Sequence, residues 1–143
     1  MKNIFIQGAI TSAFIAEKIA DHQSKTGIGA HSIFLGQVRK DSIDGNDVAA
    51  IEYTTYEPVA LEKMHTIRER IFVKYSLTCM HIYHSLGNVA AGEICLFVFI
   101  SSSHRKASIK ACEEIVELIK KELPVWGKEI FDVPGKYQWK VNN

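Results

Sequence analysis

The sequence predicts an α+β fold, in which about three helices pack on a largely antiparallel sheet within a single domain covering residues 1–143. Two observations support this prediction. First, segments with strand-like and helix-like apolar patterns follow one another in the order β-α-β-β-α-β-β-α-β-β. Second, a chain of 143 residues suits one domain and buries enough surface to fold without disulfides or a metal ion.

The chain begins with a predicted strand and helix. Residues 3–9 are short and apolar and predict the strand. Thr11 or Ser12 can cap the N-terminus of the helix that follows. The apolar stripe of this helix consists of Phe14, Ile15, Ile19 and Ala20. Two glycines end the unit, and residues 30–38 predict the next strand.

A polar stretch, residues 40–47, separates that strand from another at residues 48–57. The stretch has no apolar periodicity and contains Asp, Asn, Ser and Gly, which predicts a mobile loop. Pro58 suits the first turn of a second helix, because its missing N–H would be unpaired there in any case. The apolar stripe of this helix consists of Leu61, Met64, Ile67, Ile71, Phe72 and Tyr75.

The last part of the chain predicts a hairpin, a helix and two short strands. Residues 77–85 and 93–101 form the hairpin, and the glycine-flanked residues 87–92 connect its strands. The third helix runs from about residue 104 to residue 121 and ends before Pro124, which cannot continue a helix. The final short strands are expected at residues 129–131 and 137–141.

Composition excludes several classes of protein. The formal net charge is +1, so the chain lacks the strongly basic balance of a nucleic-acid binder. No apolar run reaches the roughly 18 residues that a membrane-spanning helix needs. The N-terminus lacks the apolar core and cleavage site of a signal peptide. We therefore expect a cytoplasmic protein with neither a nucleic acid nor a membrane as its partner.

The cysteines and most of the histidines are expected to have structural roles. Cys79, Cys95 and Cys112 lie among apolar residues and lack the short spacings of disulfide frameworks or metal sites. The histidines without a recognisable ligand spacing are His22, His31, His65, His81 and His84. We therefore expect no metal site and no cofactor.

The first candidate site is the junction between the strand at residues 93–101 and the third helix. Three serines lead into His104, Arg105 and Lys106, where helix N–H groups and the helix dipole favour an anion. Cations at this position oppose the dipole, and a bound phosphate or carboxylate would offset the cost. A serine cap followed by a solvated basic turn explains the pattern equally well.

Two further segments each place a basic residue in an apolar setting. The strand containing Phe34 ends in Arg39, which could form two hydrogen bonds with a phosphate, although an arginine after a strand is usually only solvated. Lys120 precedes Trp126, and an aromatic wall could help to lower the pKa of a lysine. Lysines near helix C-termini are nevertheless routine, because they complement the dipole.

Together these three segments resemble the large, catalytic subunit family of molybdopterin synthases. The motifs, in the order and spacing of the family, are Phe34-x-Gly36-x-Val38-Arg39, Ser103-His104-Arg105 and Lys120-x-x-x-Pro124-x-Trp126-x-x-Glu129. The segment from Gly87 to Glu93 resembles a hairpin of the family and supports the assignment. The resemblance runs from about residue 30 to residue 140.

The resemblance implies a hammerhead-like fold and a sulfur-transfer reaction. Cyclic pyranopterin monophosphate receives two sulfurs and becomes the dithiolene of molybdopterin. The sulfur arrives as a thiocarboxylate on the C-terminal Gly-Gly tail of a small ubiquitin-like subunit, which inserts into the large subunit. A homodimer of large subunits within a heterotetramer, without a cofactor, is also implied.

The resemblance also implies roles for individual residues. Lys120 is the main catalytic lysine, and Lys128 is the candidate for a second. The residues expected to bind substrate are Phe34, Gln37, Val38, Arg39, His104, Arg105, Gly127 and Glu129. The family usually has a lysine directly after the tryptophan, where this chain has Gly127. Either Lys128 reaches the site, the site works with one lysine, or activity is reduced.

Helix length separates two parts of the expected site. His104 and Lys120 lie about 24 Å apart along a helix, so they cannot both touch one small reacting centre within a chain. We therefore expect a dimer in which His104 and Arg105 of one chain complete the pocket that holds Arg39 and Lys120 of the other.

Two other interpretations remain open at the level of the sequence. The chain could be a regulatory domain that binds an anionic metabolite, which would not need Lys120. It could also be a scaffold subunit of low activity, an interpretation suggested by Gly127.

Overall fold

The computed structural model describes residues 3–141, which form three helices and eight strands. The helices are α1 (Ser12–Asp21), α2 (Glu57–Lys74) and α3 (Arg105–Glu122). The strands are β1 (Phe5–Gln7), β2 (Ala30–Gln37), β3 (Ser42–Ile43), β4 (Asn46–Thr55), β5 (Cys79–Ala90), β6 (Ile94–Ser102), β7 (Val125–Phe131) and β8 (Tyr137–Trp139).

The strands join in one sheet whose main path has the order β2-β6-β5-β4-β7-β8. Every neighbouring pair along this path is antiparallel, and so is the pairing of β3 with β4. In contrast, β1 runs parallel to β5. The predicted α+β fold, with three helices on a largely antiparallel sheet, is confirmed.

Local sequence sets the ends of the helices. Thr11 is the N-cap of α1, and its Oγ1 accepts a hydrogen bond of 3.1 Å from the backbone N–H of Phe14. Pro58 lies in the first turn of α2, as predicted. Leu123 caps α3 immediately before Pro124. Among residues 3–141, no helix is long and apolar enough to cross a membrane.

Apolar layers cover both faces of the sheet. Helices α2 and α3 cover one face, where Met64 and Ile115 belong to the same cluster as Ile82 of β5. Helix α1 covers the other face, where Ile15 belongs to a cluster with Tyr83. Because side chains alternate along a strand, consecutive residues of β5 contribute to opposite layers.

The predicted loop at residues 40–47 instead contains β3 and the start of β4. A tight turn joins the two strands, and its residues Asp44 and Gly45 have φ angles of 51° and 80°. Asp and Gly tolerate this left-handed conformation better than other residues do, so the polar composition encodes a hairpin turn.

Two other strands extend beyond the predicted bounds. β5 continues to Ala90 because β4 pairs with it as far as the partners Ala50 and Ala90. β7 begins at Val125 rather than at residue 129, because Val125 pairs with Thr55 at the end of β4. In both cases a neighbouring strand that is distant in sequence decides the length.

Candidate functional site

A pocket opens where the last turn of α3 meets β4, β5 and β7. Its empty volume is ≈ 400 Å³. The residues that line it are Tyr53, His84, Ile119, Lys120, Leu123, Val125, Gly127 and Lys140. The pocket therefore brings together Lys120 and Gly127, two of the residues singled out in the sequence.

Lys120 lies in the last turn of α3, where its positive charge complements the dipole of the helix. Its ammonium group is close enough to His84 for its charge to lower the pKa of the imidazole. The neighbouring Lys121 is exposed and does not line the pocket. The end of α3 thus carries one lysine at the pocket and one in solvent.

His84 is a buried, neutral base of this pocket, with only 6% of its surface exposed. Burial lowers its pKa from 6.5 to about 4, and the charge of Lys120 adds to the shift, while the hydrogen bond to Ser85 opposes it. The Ser85 carbonyl can only accept, so His84 Nδ1, at 2.8 Å from that oxygen, carries the proton. Nε2 therefore keeps its lone pair at neutral pH.

Tyr53 forms an aromatic wall beside the histidine. Its ring meets that of His84 edge to face, with 5.1 Å between the centroids. Burial, followed by the effects of Cys95 and Glu129, raises the pKa of Tyr53 well above its usual range. The phenol consequently stays protonated and remains a potential hydrogen-bond donor.

Gly127 lies directly opposite Tyr53 in the pairing of β4 with β7. A Cβ atom at this position would lie 3.0 Å from Cγ2 of Ile51 and 3.4 Å from Cε1 of Tyr53. Because Gly127 has no side chain, the side chains of Ile51 and Tyr53 can pack close to the backbone of β7 at this position. A lysine at position 127 would require the Ile51 side chain to move by a few tenths of an ångström.

Lys128, the candidate for the second catalytic lysine, follows Gly127 in β7, so its side chain lies on the opposite face of the strand. Its Nζ atom forms an ion pair of 3.3 Å with Glu52. The same ammonium lies 4.7 Å from the centroid of the Tyr137 ring, a cation–π distance. Within one chain, the structure does not bring Lys128 to Lys120.

Glu129 and Arg39 lie near the same end of the sheet. Glu129 is 5% exposed and accepts a hydrogen bond of 3.1 Å from Nε2 of Gln138. Arg39 forms a hydrogen-bonded ion pair of 2.6 Å with Asp41, which raises the pKa of the guanidinium, and Glu129 contributes to the same rise. The Arg39 side chain is 80% exposed, so an incoming anion would meet it with Asp41 beside it.

The other predicted residues of the first motif have different environments. Phe34 packs against the core beneath α2 and α3. Val38 is buried, with 1% of its surface exposed. Gln37 is exposed and joins Arg39 in an open depression next to the loop at residues 91–93.

His104 and Arg105 lie at the other end of α3, in an open depression that also contains Lys106, Ile109 and Lys110. Ser102 Oγ donates to the carbonyl of His104, and Ser108 Oγ donates to the carbonyl of Arg105 at 3.0 Å. These hydroxyls therefore stabilise the first turn through carbonyl groups. Within one chain, α3 separates this depression from the Lys120 pocket.

Reasoning from the sequence missed three polar residues of the pocket: Tyr53, His84 and Lys140. Period-two alternation places His81 and His84 on opposite faces of β5: His84 lines the Lys120 pocket, and His81 contacts the α1 layer. It did not indicate what each face would meet. Lys140 lies next to Trp139 at the end of β8, a position without any local signal.

Comparison with known proteins assigns the family. The family model described as "MoaE protein" matches residues 10–122. The chain belongs to the MoaE family. A MoaE relative named molybdopterin synthase catalytic subunit, from Aspergillus fumigatus, is 36% identical over 122 residues, which are 85% of this chain and 64% of that protein. The chain therefore spans less than two thirds of that relative.

Solved structures of the MoaE fold agree with the sheet and helices described above. The crystal structure titled molybdopterin synthase from Staphylococcus aureus superposes with a TM-score of 0.82 at 28% identity, covering 96% of this chain and 95% of that one. A complex of subunits 1 and 2 of molybdopterin-converting factor from Helicobacter pylori superposes with a TM-score of 0.79, covering 94% and 87%. At 21% identity, the latter match concerns the fold alone.

Proposed function

We propose that this chain is the sulfur-transferring subunit of a molybdopterin synthase, which converts cyclic pyranopterin monophosphate into molybdopterin. The observation that carries the proposal is the pairing of Lys120 with the buried, neutral His84 in one pocket. Membership of the MoaE family supports the same reaction. We also propose that the protein acts in the cytoplasm.

The proposed sulfur donor is the thiocarboxylate tail of a small ubiquitin-like subunit. The H. pylori relative was solved as a complex of two subunits, which supports a protein partner here. A thiocarboxylate is an anion, and the ammonium of Lys120 attracts it into the pocket. Once the sulfur has bonded to the pterin, water attacks the acyl carbon, the carbon–sulfur bond to the tail breaks, and the tail leaves as a carboxylate. Negative charge develops on the acyl oxygen during this attack, and a fixed ammonium stabilises it.

His84 has a positioning role in this proposal. Its neutral Nε2 offers a lone pair at the pocket without adding a second positive charge next to Lys120. We propose that this lone pair accepts a hydrogen bond from the Lys120 ammonium and so orients it. The neutral histidine therefore adds no charge of its own beside Lys120, where the acyl oxygen would lie.

Substrate binding is proposed for the remaining residues of the motifs. Arg39, backed by the buried Glu129, would bind the phosphate of the pterin, with the exposed side chain of Gln37 beside it and the buried Val38 holding the end of the strand. Gly127 would leave room for the partner's tail, and Phe34 would support the strand from the core. Lys128 is proposed to affect the site only indirectly, because its ion pair with Glu52 joins β7 to β4.

We further propose that His104 and Arg105 act in the pocket of a second copy of the chain, in a homodimer within a heterotetramer. Within one chain, the basic depression at the start of α3 and Lys120 lie at opposite ends of that helix. Mixed dimers of Lys120→Ala and His104→Ala chains should regain one intact site. Activity no higher than that of the two parent homodimers would count against sharing.

The experiment that tests the function is the conversion of cyclic pyranopterin monophosphate by the chain and a thiocarboxylated small subunit. Lys120→Ala should lower the rate by about 100- to 1,000-fold, the usual cost of losing one oxyanion-stabilising group. Lys121→Ala is the matched control on the same turn of α3 and should keep the wild-type rate. Equal rates for Lys120→Ala and wild type would reject the role of this lysine.

The basic depression at the start of α3 also supports a second candidate function, the binding of an anionic metabolite by a regulatory domain. In that case Lys120→Ala would leave anion binding unchanged, whereas Arg105→Ala would abolish it. Absence of any turnover by the wild-type complex, together with such binding, would favour this function over sulfur transfer.

A further inference from the structure

Two imidazoles and a thiol meet on the face of the sheet covered by α1, away from the Lys120 pocket. They belong to His22 at the C-cap of α1, Cys79 at the start of β5, and His81 two residues further along. One nitrogen or sulfur atom from each lies within 4.8 Å of the other two. The fold thus gathers two histidines that are 59 residues apart in the chain.

The hydrogen bonds orient the lone pair of His22 toward the centre of this cluster. Its Nδ1 lies 2.7 Å from the Lys18 carbonyl, which can only accept, so Nδ1 carries the proton. Its Nε2 faces Nε2 of His81 at 2.9 Å. Histidines that bind metals almost always donate their other N–H in this way, often to a backbone carbonyl.

We propose that His22, Cys79 and His81 bind a zinc ion. Zinc binds imidazole at about 2.0–2.1 Å and thiolate at about 2.3 Å, so tetrahedral geometry separates two nitrogens by about 3.3 Å and a nitrogen from sulfur by about 3.6 Å. The two imidazoles need to separate by only about 0.4 Å from their present 2.9 Å. A water molecule would complete the coordination.

The protons of the proposed ligand set are all accounted for, and zinc with a single thiolate keeps one positive charge. The thiol of Cys79 loses its proton to solvent when its sulfur binds the ion. The proton between the two Nε2 atoms moves to Nδ1 of His81, so both imidazoles remain neutral. The bound ion connects the end of α1 to β5 beside the aromatic ring of Phe99, which lies 4.7 Å from the His22 ring.

Zinc binding is tested with the purified full chain, stripped with a chelator and titrated with zinc chloride by calorimetry. We expect one ion per chain, and an affinity more than about 100-fold weaker in His81→Gln, because even outer-shell changes typically cost 10–100-fold. His65→Gln, at an exposed histidine on α2, is the matched control and should bind as wild type does. Equal affinities for His81→Gln and wild type would overturn the proposal.

A spectroscopic measurement on the unmodified chain removes the risk that a variant fails to fold. Cobalt chloride in place of zinc should give a thiolate-to-cobalt charge-transfer band, which disappears in Cys79→Ser and persists in Cys112→Ser. Wild-type protein without this band would overturn the assignment of Cys79 as a ligand.

A second inference concerns the Lys120 pocket and rests on the proposed function. The backbone N–H of Lys140 donates to the Gly127 carbonyl at 2.8 Å, and the register of β7 with β8 continues to place these two residues opposite each other. Side chains directly opposite in an antiparallel pair lie on the same face of the sheet. Lys140 accordingly lines the pocket with Lys120, whereas Lys128 does not.

We infer that Lys140 supplies the second ammonium of the pocket, in place of a side chain at position 127. Its exposed stem can extend over the glycine toward the acyl oxygen of the partner's tail. A second fixed positive charge would stabilise the same developing oxyanion as Lys120 does.

The test compares Lys140→Met with Lys128→Met in the conversion assay, measuring kcat and KM separately. We expect kcat to fall at least about 10-fold in Lys140→Met, with partial recovery in Lys140→Arg, and little change in Lys128→Met. Wild-type kcat in Lys140→Met would overturn this inference alone. Failure of the proposed function would appear differently, as absence of turnover by the wild-type complex.

Discussion

Acidification from pH 7.5 to pH 5.0 should destabilise the folded chain through His84. The pKa of His84 is 6.5 in the unfolded chain and about 4 in the folded one. Between these values the unfolded state binds a proton that the native state does not, so stability falls as pH falls. The loss begins near pH 6.5 and is complete below about pH 4.

The magnitude follows from the same two pKa values. At pH 5.0 the unfolded imidazole is almost fully protonated and the folded one almost fully neutral. The resulting loss of unfolding free energy, relative to pH 7.5, is about 2 kcal/mol. The full difference in pKa corresponds to about 3 kcal/mol, reached only at more acidic pH.

Urea unfolding at the two pH values, at one protein concentration, measures this effect. His84→Asn removes the titrating group, while its amide can still donate to the Ser85 carbonyl. The variant should lose about 2 kcal/mol less than wild type between pH 7.5 and pH 5.0. His65→Asn, at an exposed histidine, should follow wild type. An equal loss in His84→Asn and wild type would refute the reasoning.

Three further predictions follow from single contacts. Thr11→Ala should lower the unfolding free energy by about 1 kcal/mol in urea titrations, because it removes the cap of α1, whereas Ser12→Ala should not. Gly127→Lys should lower the thermal midpoint of unfolding, because the Cβ atom that it adds would lie 3.0 Å from the Ile51 side chain. A large gain of activity in the same variant would favour the interpretation of the chain as a poorly active scaffold. Arg39→Ala should weaken pterin phosphate binding by about 1.5–3 kcal/mol in calorimetry, and unchanged binding would exclude the charge-assisted contact.

Local signals predicted most of the helices and strands, because caps and prolines act within a few residues. Thr11 and Pro58 fixed the starts of α1 and α2, and Pro124 fixed the end of α3. The longer bounds of β5 and β7 depend on β4, which supplies partners from far away in the sequence. A strand end determined by a distant partner leaves no local signal at the end itself.

The residues of the candidate site also differ in how far local sequence could predict them. Lys120 could be predicted from a motif at the end of a helix, and the structure places it in a pocket. His84 carries no motif, and its pKa depends on burial beneath elements that are distant in sequence. The cluster of His22, Cys79 and His81 likewise arises from the packing of α1 on β5, so spacing along the chain could not indicate it.

A structure of the chain with the C-terminal tail of the proposed small partner bound tests the central claim most directly. The decisive quantity is the distance between the terminal acyl oxygen of the tail and Nζ of Lys120. We predict a hydrogen-bond distance of about 2.7–2.9 Å, as for other charge-assisted contacts. A tail that lies elsewhere, with Lys120 more than about 6 Å from its terminal carbon, would contradict the claim that this pocket transfers sulfur.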